Sequence, residues 1–272
     1  MTSAAGAEPR LRGEGSASER SSEAPQAASL RAANITVRYG ARAVLRAVSL
    51  TAHAGDVVGI LGPSGAGKST LFGVLAGESL ANVTEHEGTV TLRGEDVTAL
   101  ATHLRVQRGL GYVPQLPSVL FDLTARDNLI TFLELSGRNA NAPDHGANAL
   151  LARVALGDRG SVRAGSLSGG ERRRLELARA LVTEPRVLLC DEPFAGIDPS
   201  AAKMLGALLA DFAASGGTVL LADHHVNEAL AICTRALLLL DGEIHVDAAP
   251  DAFRAHALVQ GRYLGTLAPE AQ

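Results

Sequence analysis

A chain of 272 residues with 46% hydrophobic content has room for one large domain or two small ones around a sizeable core. Lys plus Arg number 25 against 29 Asp plus Glu, a net charge of −4, and aromatics stand at 3% with no Trp; neither a basic face nor base-stacking side chains for general nucleic-acid binding are supplied. The longest apolar runs, such as residues 236–240, fall far short of the roughly 18 residues a spanning helix needs, Cys190 and Cys233 lack metal or disulfide spacing, and without a secretory signal pattern a cytoplasmic address is expected.

Residues 1 to about 30 are dominated by Ala, Ser, Glu, Arg and Gly, a composition too poor in large apolar side chains to offset ordering entropy, and a disordered extension is predicted. Short aliphatic or β-branched runs then predict strands at 35–39, 44–52, 57–61, 89–92 and 111–114, and their close spacing points to a small antiparallel layer. Amphipathic stretches at 129–135 and 147–154, on either side of the polar tract 137–146, predict an inserted helical subdomain over about 116–166. A strand at 187–190, a helix at 201–214 and strands at 218–222 and 237–240 follow, an alternation that implies a parallel sheet with covering helices. The expected fold class is therefore α/β, with a parallel sheet, a small antiparallel β subdomain and an α-helical insertion, which the GxxxxGK[ST] pattern at 62–70 makes a P-loop core. One domain over 31–265 is expected, and 266–272 is read as a tail.

Gly62-Pro63-Ser64-Gly65-Ala66-Gly67-Lys68-Ser69-Thr70 fits GxxxxGK[ST] between an apolar strand and a helical pattern. Glycines let backbone N–H groups approach phosphate oxygens, and the helix start adds its positive end to the same place. Lys68 then reaches the terminal phosphates and the Ser69 hydroxyl reaches Mg²⁺. An aliphatic strand ends in Asp191-Glu192, which places two carboxylates at a sheet edge: Asp191 suits the metal, and Glu192 suits the water that attacks a γ-phosphate. Ser168 with Glu171 three residues on reads as a capping box opening a helix over 172–183; the same Ser168-Gly169-Gly170 start is also a preformed anion site. Arg172-Arg173-Arg174 behind it reads as a solvated basic face.

These motifs in this order resemble the ATP-binding cassette ATPases. The resemblance implies ATP and Mg²⁺, and a homodimer in which Ser168, Gly169, Gly170 and Glu171 close over ATP held by the opposite protomer. It also implies that Tyr39 stacks on adenine, that Gln115 links the Mg²⁺ to the partner surface, and that Asp198 lies in a loop running between protomers. His224, of the pair His224-His225, would contact the γ-phosphate, by sensing it or by holding water and Glu192 in line. The texts LSGGERRRL at 167–175, DEPFAGIDP at 191–199, DHHV at 223–226 and RYLG at 262–265 are most similar to ATPases of the lipopolysaccharide-export family, over about residues 31–265. That likeness implies two separate transmembrane permease subunits and attachment to the cytoplasmic face of the inner membrane through them alone, without nucleic acid. The alternative readings are the ATPase of a branched-chain amino-acid or other importer, a related group that usually differs after LSGG and DEP, and, behind it, a soluble non-transport cassette ATPase. Residues 116–123 read LPSVLFDL, without the Phe-Arg-Arg common in the export family at the segment facing the membrane partner.

Overall fold

The computed structural model describes residues 28–137 and 142–266, together with Met1. The predicted disorder of the N-terminal extension and most of the C-terminal tail lie outside the described residues, and Leu30 already opens the first strand.

Strands β1 (Leu30–Tyr39), β2 (Arg42–Ala52), β4 (Glu85–Leu92) and β5 (Glu95–Asp96) form an antiparallel sheet in the order β2-β1-β4-β5. Alternation explains β1: Leu30, Ala32, Ile35 and Val37 turn inward and are buried, with a register shift near Asn34, whose φ is 54°. Two early strands leave this layer. β3 (Val57–Leu61) and β6 (Leu110–Val113) enter a second sheet with β7 (Val187–Asp191), β8 (Thr218–Ala222), β9 (Arg235–Leu240) and β10 (Glu243–Ala248), in the order β10-β9-β3-β8-β7-β6. All of its pairings are parallel except β9 with β10. The reason is compositional: β3, β7 and β8 are buried at every position and, apart from Asp191 and Thr218 at strand ends, carry no polar side chain, which suits strands covered on both faces. Val57 and Leu61 of β3 join one core cluster while Val58 and Ile60 join the other, so the sheet separates two apolar layers.

Helix α1 (Lys68–Ala76) follows β3, and α2 (Thr102–Gln107) leads into β6. The insertion contains α3 (Ala125–Ser136) and α4 (Pro143–Arg153), each longer than its apolar stretch alone predicts. Thr124 caps α3 by accepting the Asp127 N–H, and buried Asn128 holds the preceding loop through both the N–H and C=O of Leu120. α5 (Gly169–Leu181), α6 (Pro199–Ala214) and α7 (Val226–Ile232) cover the parallel sheet, and α8 (Pro250–Ala255), α9 (Ala257–Arg262) and a short 3-10 turn (Leu264–Thr266) follow β10. Cys190 and Cys233 are buried, and burial pushes both thiols up to about 12, consistent with unreactive core positions.

The strand order decides where chemistry can occur. Because β7, β8 and β3 are neighbours and parallel, the residues that follow each of them share one edge of the sheet.

Candidate nucleotide site

The loop Gly62 to Gly67 turns β3 into α1. Gly65 and Gly67 have φ of 80° and 106°, backbone that side chains other than hydrogen rarely permit. At Gly62 a Cβ would collide with the Leu239 carbonyl oxygen, so the loop lies tight against β9. Pro63 is half-buried, Ser64 and Gly65 are exposed, and Ala66 and Gly67 are buried. No side chain caps the start of α1, which leaves its first N–H groups for an anion. Lys68 is buried and folds back, its Nζ donating to the carbonyls of Gly62 at 2.7 Å and Pro63 at 3.0 Å. Burial lowers its pKa, opposed by the negative charges of Glu192, Asp191 and Asp223. Ser69 is exposed and Thr70 half-buried on the first turn.

Asp191 ends β7, 4% exposed, and its Oδ1 is buried without a hydrogen-bond partner. Burial, then the adjacent Glu192, raises its pKa to about 6, while a hydrogen bond with the Ser69 side chain acts the other way. Glu192 takes a φ of 50°, a left-handed conformation held from two sides: its N–H donates to the Ala222 carbonyl at 2.7 Å, and its carbonyl accepts from Arg173 Nη2 at 3.2 Å. After β8, His224 brings Nδ1 to 3.6 Å from Glu192 Oε2. Fully buried Asp223 accepts the Phe194 N–H at 2.9 Å on Oδ2 and the His225 N–H at 2.8 Å on Oδ1, tying the loop after β7 to the loop after β8.

Other elements carry the remaining candidates. Ser168 caps α5 in a capping box: its hydroxyl accepts the Glu171 N–H at 3.2 Å, and Glu171 Oε2 accepts the Ser168 N–H at 2.9 Å. Arg159 grips the same carboxylate at 2.7 Å, and these bonds, the Arg159 one foremost, pull Glu171 down to about 2. Gly170 is buried where a Cβ would collide with Ala201 of α6. Asp198 caps α6, with Oδ1 accepting the Ser200 and Ala201 N–H groups at 3.0 Å. Gln115 is exposed just beyond β6, and Tyr39 is half-buried at the end of β1. Gln115, Gly169, Glu192 and Gly196 line one cavity of about 470 Å³. The lysine, both carboxylates and His224 thus meet at one sheet edge, whereas Tyr39 sits on the antiparallel sheet and the capping box on α5.

The arginine run departs from its expected role. Arg173 is buried, not solvated: it donates to Glu176 Oε2 at 2.7 Å and to the carbonyls of Pro114, Gln115 and Glu192, while Glu176 Oε1 accepts the Ser118 N–H. One guanidinium therefore ties α5 to the loop after β6 and to the backbone of Glu192. Arg174 likewise reaches the carbonyls of Val154 and Ala155, and Arg172 that of Leu167. The i,i+3 spacing of Arg173 and Glu176 was the available signal.

Comparison with known proteins supports the same assembly. Residues 45–195 match the family described as ABC transporter. The lipopolysaccharide export system ATP-binding protein LptB of Acidithiobacillus ferridurans is 41% identical across 87% of this chain and 96% of its own length. That of Escherichia coli (strain K12) is 37% identical across 88% and 98%. Among solved structures, an ATP-binding cassette of an ABC transporter in its ADP conformation superposes with a TM-score of 0.78 at 27% identity, covering 88% of this chain and 99% of that one. A dimeric cassette in a post-hydrolysis state with ADP and Pi gives 0.71 at 27% identity, over 81% and 98%. On a likeness that spans nearly all of the described chain, the protein belongs to the ABC transporter family as one of its ATP-hydrolysing cassettes.

Proposed function

We propose that this chain is the motor subunit of a lipopolysaccharide exporter, acting as a homodimer beneath two separate membrane subunits. The convergence of Lys68, Asp191, Glu192 and His224 at adjacent strand ends carries the catalytic part of this reading. The names of the relatives supply the transported molecule, and the dimeric relative supports the homodimer.

In this account the amides of Gly62 to Thr70, including Pro63, Ser64, Gly65, Ala66 and Gly67 by their backbone, wrap the phosphates, and Lys68 leaves its two carbonyls for phosphate oxygens. Tyr39 covers the adenine. Mg²⁺ fits the residues present: Asp191 offers a buried oxygen without a partner, Ser69 shares that carboxylate, and Gln115 stands exposed beyond β6. When bound, the ion neutralises phosphate charge. Glu192 orients the attacking water and His224 contacts the γ-phosphate, a positioning task that the bonds of Glu192 to Ala222 and Arg173 serve. Ser168, Gly169, Gly170 and Glu171 present a helix start to the partner's nucleotide, with Asp198 beside them.

No helix among the described residues is long and apolar enough to cross a membrane. In this reading the chain attaches to the cytoplasmic face of the inner membrane through its partners. Their contact draws on the exposed apolar side chains Leu116, Leu120, Phe121 and Leu135, the last of which also lines a cavity of about 510 Å³ with Val106, Phe132 and Arg179. Its chemistry is more apolar than the Phe-Arg-Arg pattern of the export family implies.

The test is affinity capture of the Glu192→Gln variant from native membranes with ATP and Mg²⁺. Recovery of two membrane subunits with bound lipopolysaccharide is expected; amino-acid permease subunits in their place would transfer the same motor to an importer.

A further inference from the structure

Beyond β8, three consecutive side chains gather donor atoms on one spot. One carboxylate oxygen of Asp223 and one ring nitrogen each of His224 and His225 lie within 4.8 Å of one another. His225 Nδ1 is 2.8 Å from Asp223 Oδ1, and His224 Nδ1 is 3.8 Å from that oxygen and 3.6 Å from Glu192 Oε2. The two imidazoles face each other, centroids 4.1 Å apart and planes tilted by 40°, with both Nδ1 atoms near the same carboxylate.

A tetrahedral ion with Zn–N and Zn–O bonds of about 2.0–2.1 Å sets its ligand atoms roughly 3.3 Å apart. Three of the six ligand separations, 2.8, 3.6 and 3.8 Å, bracket that value, and the Asp223, His224 and His225 donor atoms all lie within 4.8 Å of one another. Asp223 is already oriented as ligating carboxylates are, by backbone N–H groups from Phe194 and His225. The His224 and His225 side chains are 50% and 35% exposed, which gives an ion a path from solvent.

We propose that Asp223, His224 and His225, with Glu192 as fourth ligand, bind a transition-metal ion of the Zn²⁺ class, and that the bound ion inhibits ATP hydrolysis. Donor chemistry separates this site from the Mg²⁺ site: imidazole nitrogens favour zinc, nickel and copper, whereas Mg²⁺ prefers oxygen ligands. Excess Mg²⁺ therefore does not displace the ion. The inhibitory consequence rests on the reading of Glu192 and His224 given above, since the ion occupies His224 Nδ1 and neutralises the Glu192 carboxylate. Binding itself needs neither role. His225 has no part in hydrolysis in this account, so it is the position at which metal binding can be removed alone.

The experiment uses the untagged, metal-stripped full chain without nucleotide. Co²⁺ is titrated with detection by visible absorption, and Zn²⁺ by calorimetry, in the wild type and in His225→Asn. One equivalent per chain with tetrahedral Co²⁺ bands is expected, and His225→Asn weakens affinity about tenfold or more while its Mg²⁺-dependent ATPase rate stays at the wild-type level. Zn²⁺ added under saturating ATP and Mg²⁺ then inhibits the wild type and, by the same margin, the variant less. Equal Zn²⁺ affinity in both proteins, or no stoichiometric binding, overturns the site. Binding without inhibition overturns its regulatory role, and absence of ATPase activity in both proteins with Mg²⁺ and without added Zn²⁺ counts instead against the hydrolytic reading.

Discussion

Arg173 occupies the middle of three arginines, yet it alone of the three is buried, and its fork is shared among Glu176 and three backbone carbonyls. Cutting one partner of a buried pair strands the other charge, so Arg173→Ala is expected to cost about 3 kcal/mol. The Arg173→Met/Glu176→Leu double variant should recover much of that in urea unfolding; additive losses would show that the pair is not coupled. Because the same guanidinium holds the Glu192 carbonyl, the double variant should still hydrolyse ATP slowly despite its regained stability. Lys68 is the contrasting residue. Its two carbonyl bonds are local, and Lys68→Ala is expected to leave the fold intact while ATP affinity falls, measured by calorimetry; unchanged affinity would count against the phosphate role.

At the scale of elements, the start of α5 is a charge-dependent cap. Glu171 bonds Arg159 and the Ser168 amide, and its carboxyl is held down to about 2 from 4.5. A depressed carboxylate stabilises the fold fully above its unfolded value, and that contribution is lost as pH falls from about 4.5 toward 2. The stability gap between the wild type and Glu171→Gln should therefore be constant near neutrality and shrink through this acid window in pH-dependent unfolding. A gap independent of pH would remove the ionic part of the cap. The P-loop makes the parallel case: Gly62→Ala has to push the loop off the Leu239 carbonyl, so nucleotide affinity should fall while circular dichroism stays native. Native affinity would show that the loop has slack there.

Over the whole molecule, what was legible in the sequence was what is local. The P-loop, the Asp191-Glu192 strand end and the capping box each lie within a few consecutive residues, where spacing states the geometry. That β3 and β6 leave the early antiparallel layer for the parallel sheet was not legible from spacing, because they find their partners β8, β9 and β7 far along the chain. The uniform burial of β3 was the physical clue, since an antiparallel strand with one wet face alternates. The short, half-exposed β10 and the final helices α8 and α9 offer too little apolar periodicity to stand out. Arg173 was missed for a related reason: its carbonyl acceptors at 114 and 115 lie 59 and 58 residues upstream. His224 and Glu192 were each visible singly, but only the adjacency of β7 and β8 sets them 3.6 Å apart.

That adjacency is the centre of the account, and the Glu192→Gln variant tests it most directly. Light scattering on the purified protein with ATP and Mg²⁺, alongside steady-state phosphate release, should give a stable dimer that retains ATP and a rate lowered about a hundredfold or more against wild type. A variant that stays monomeric with ATP and releases phosphate at the wild-type rate would contradict it.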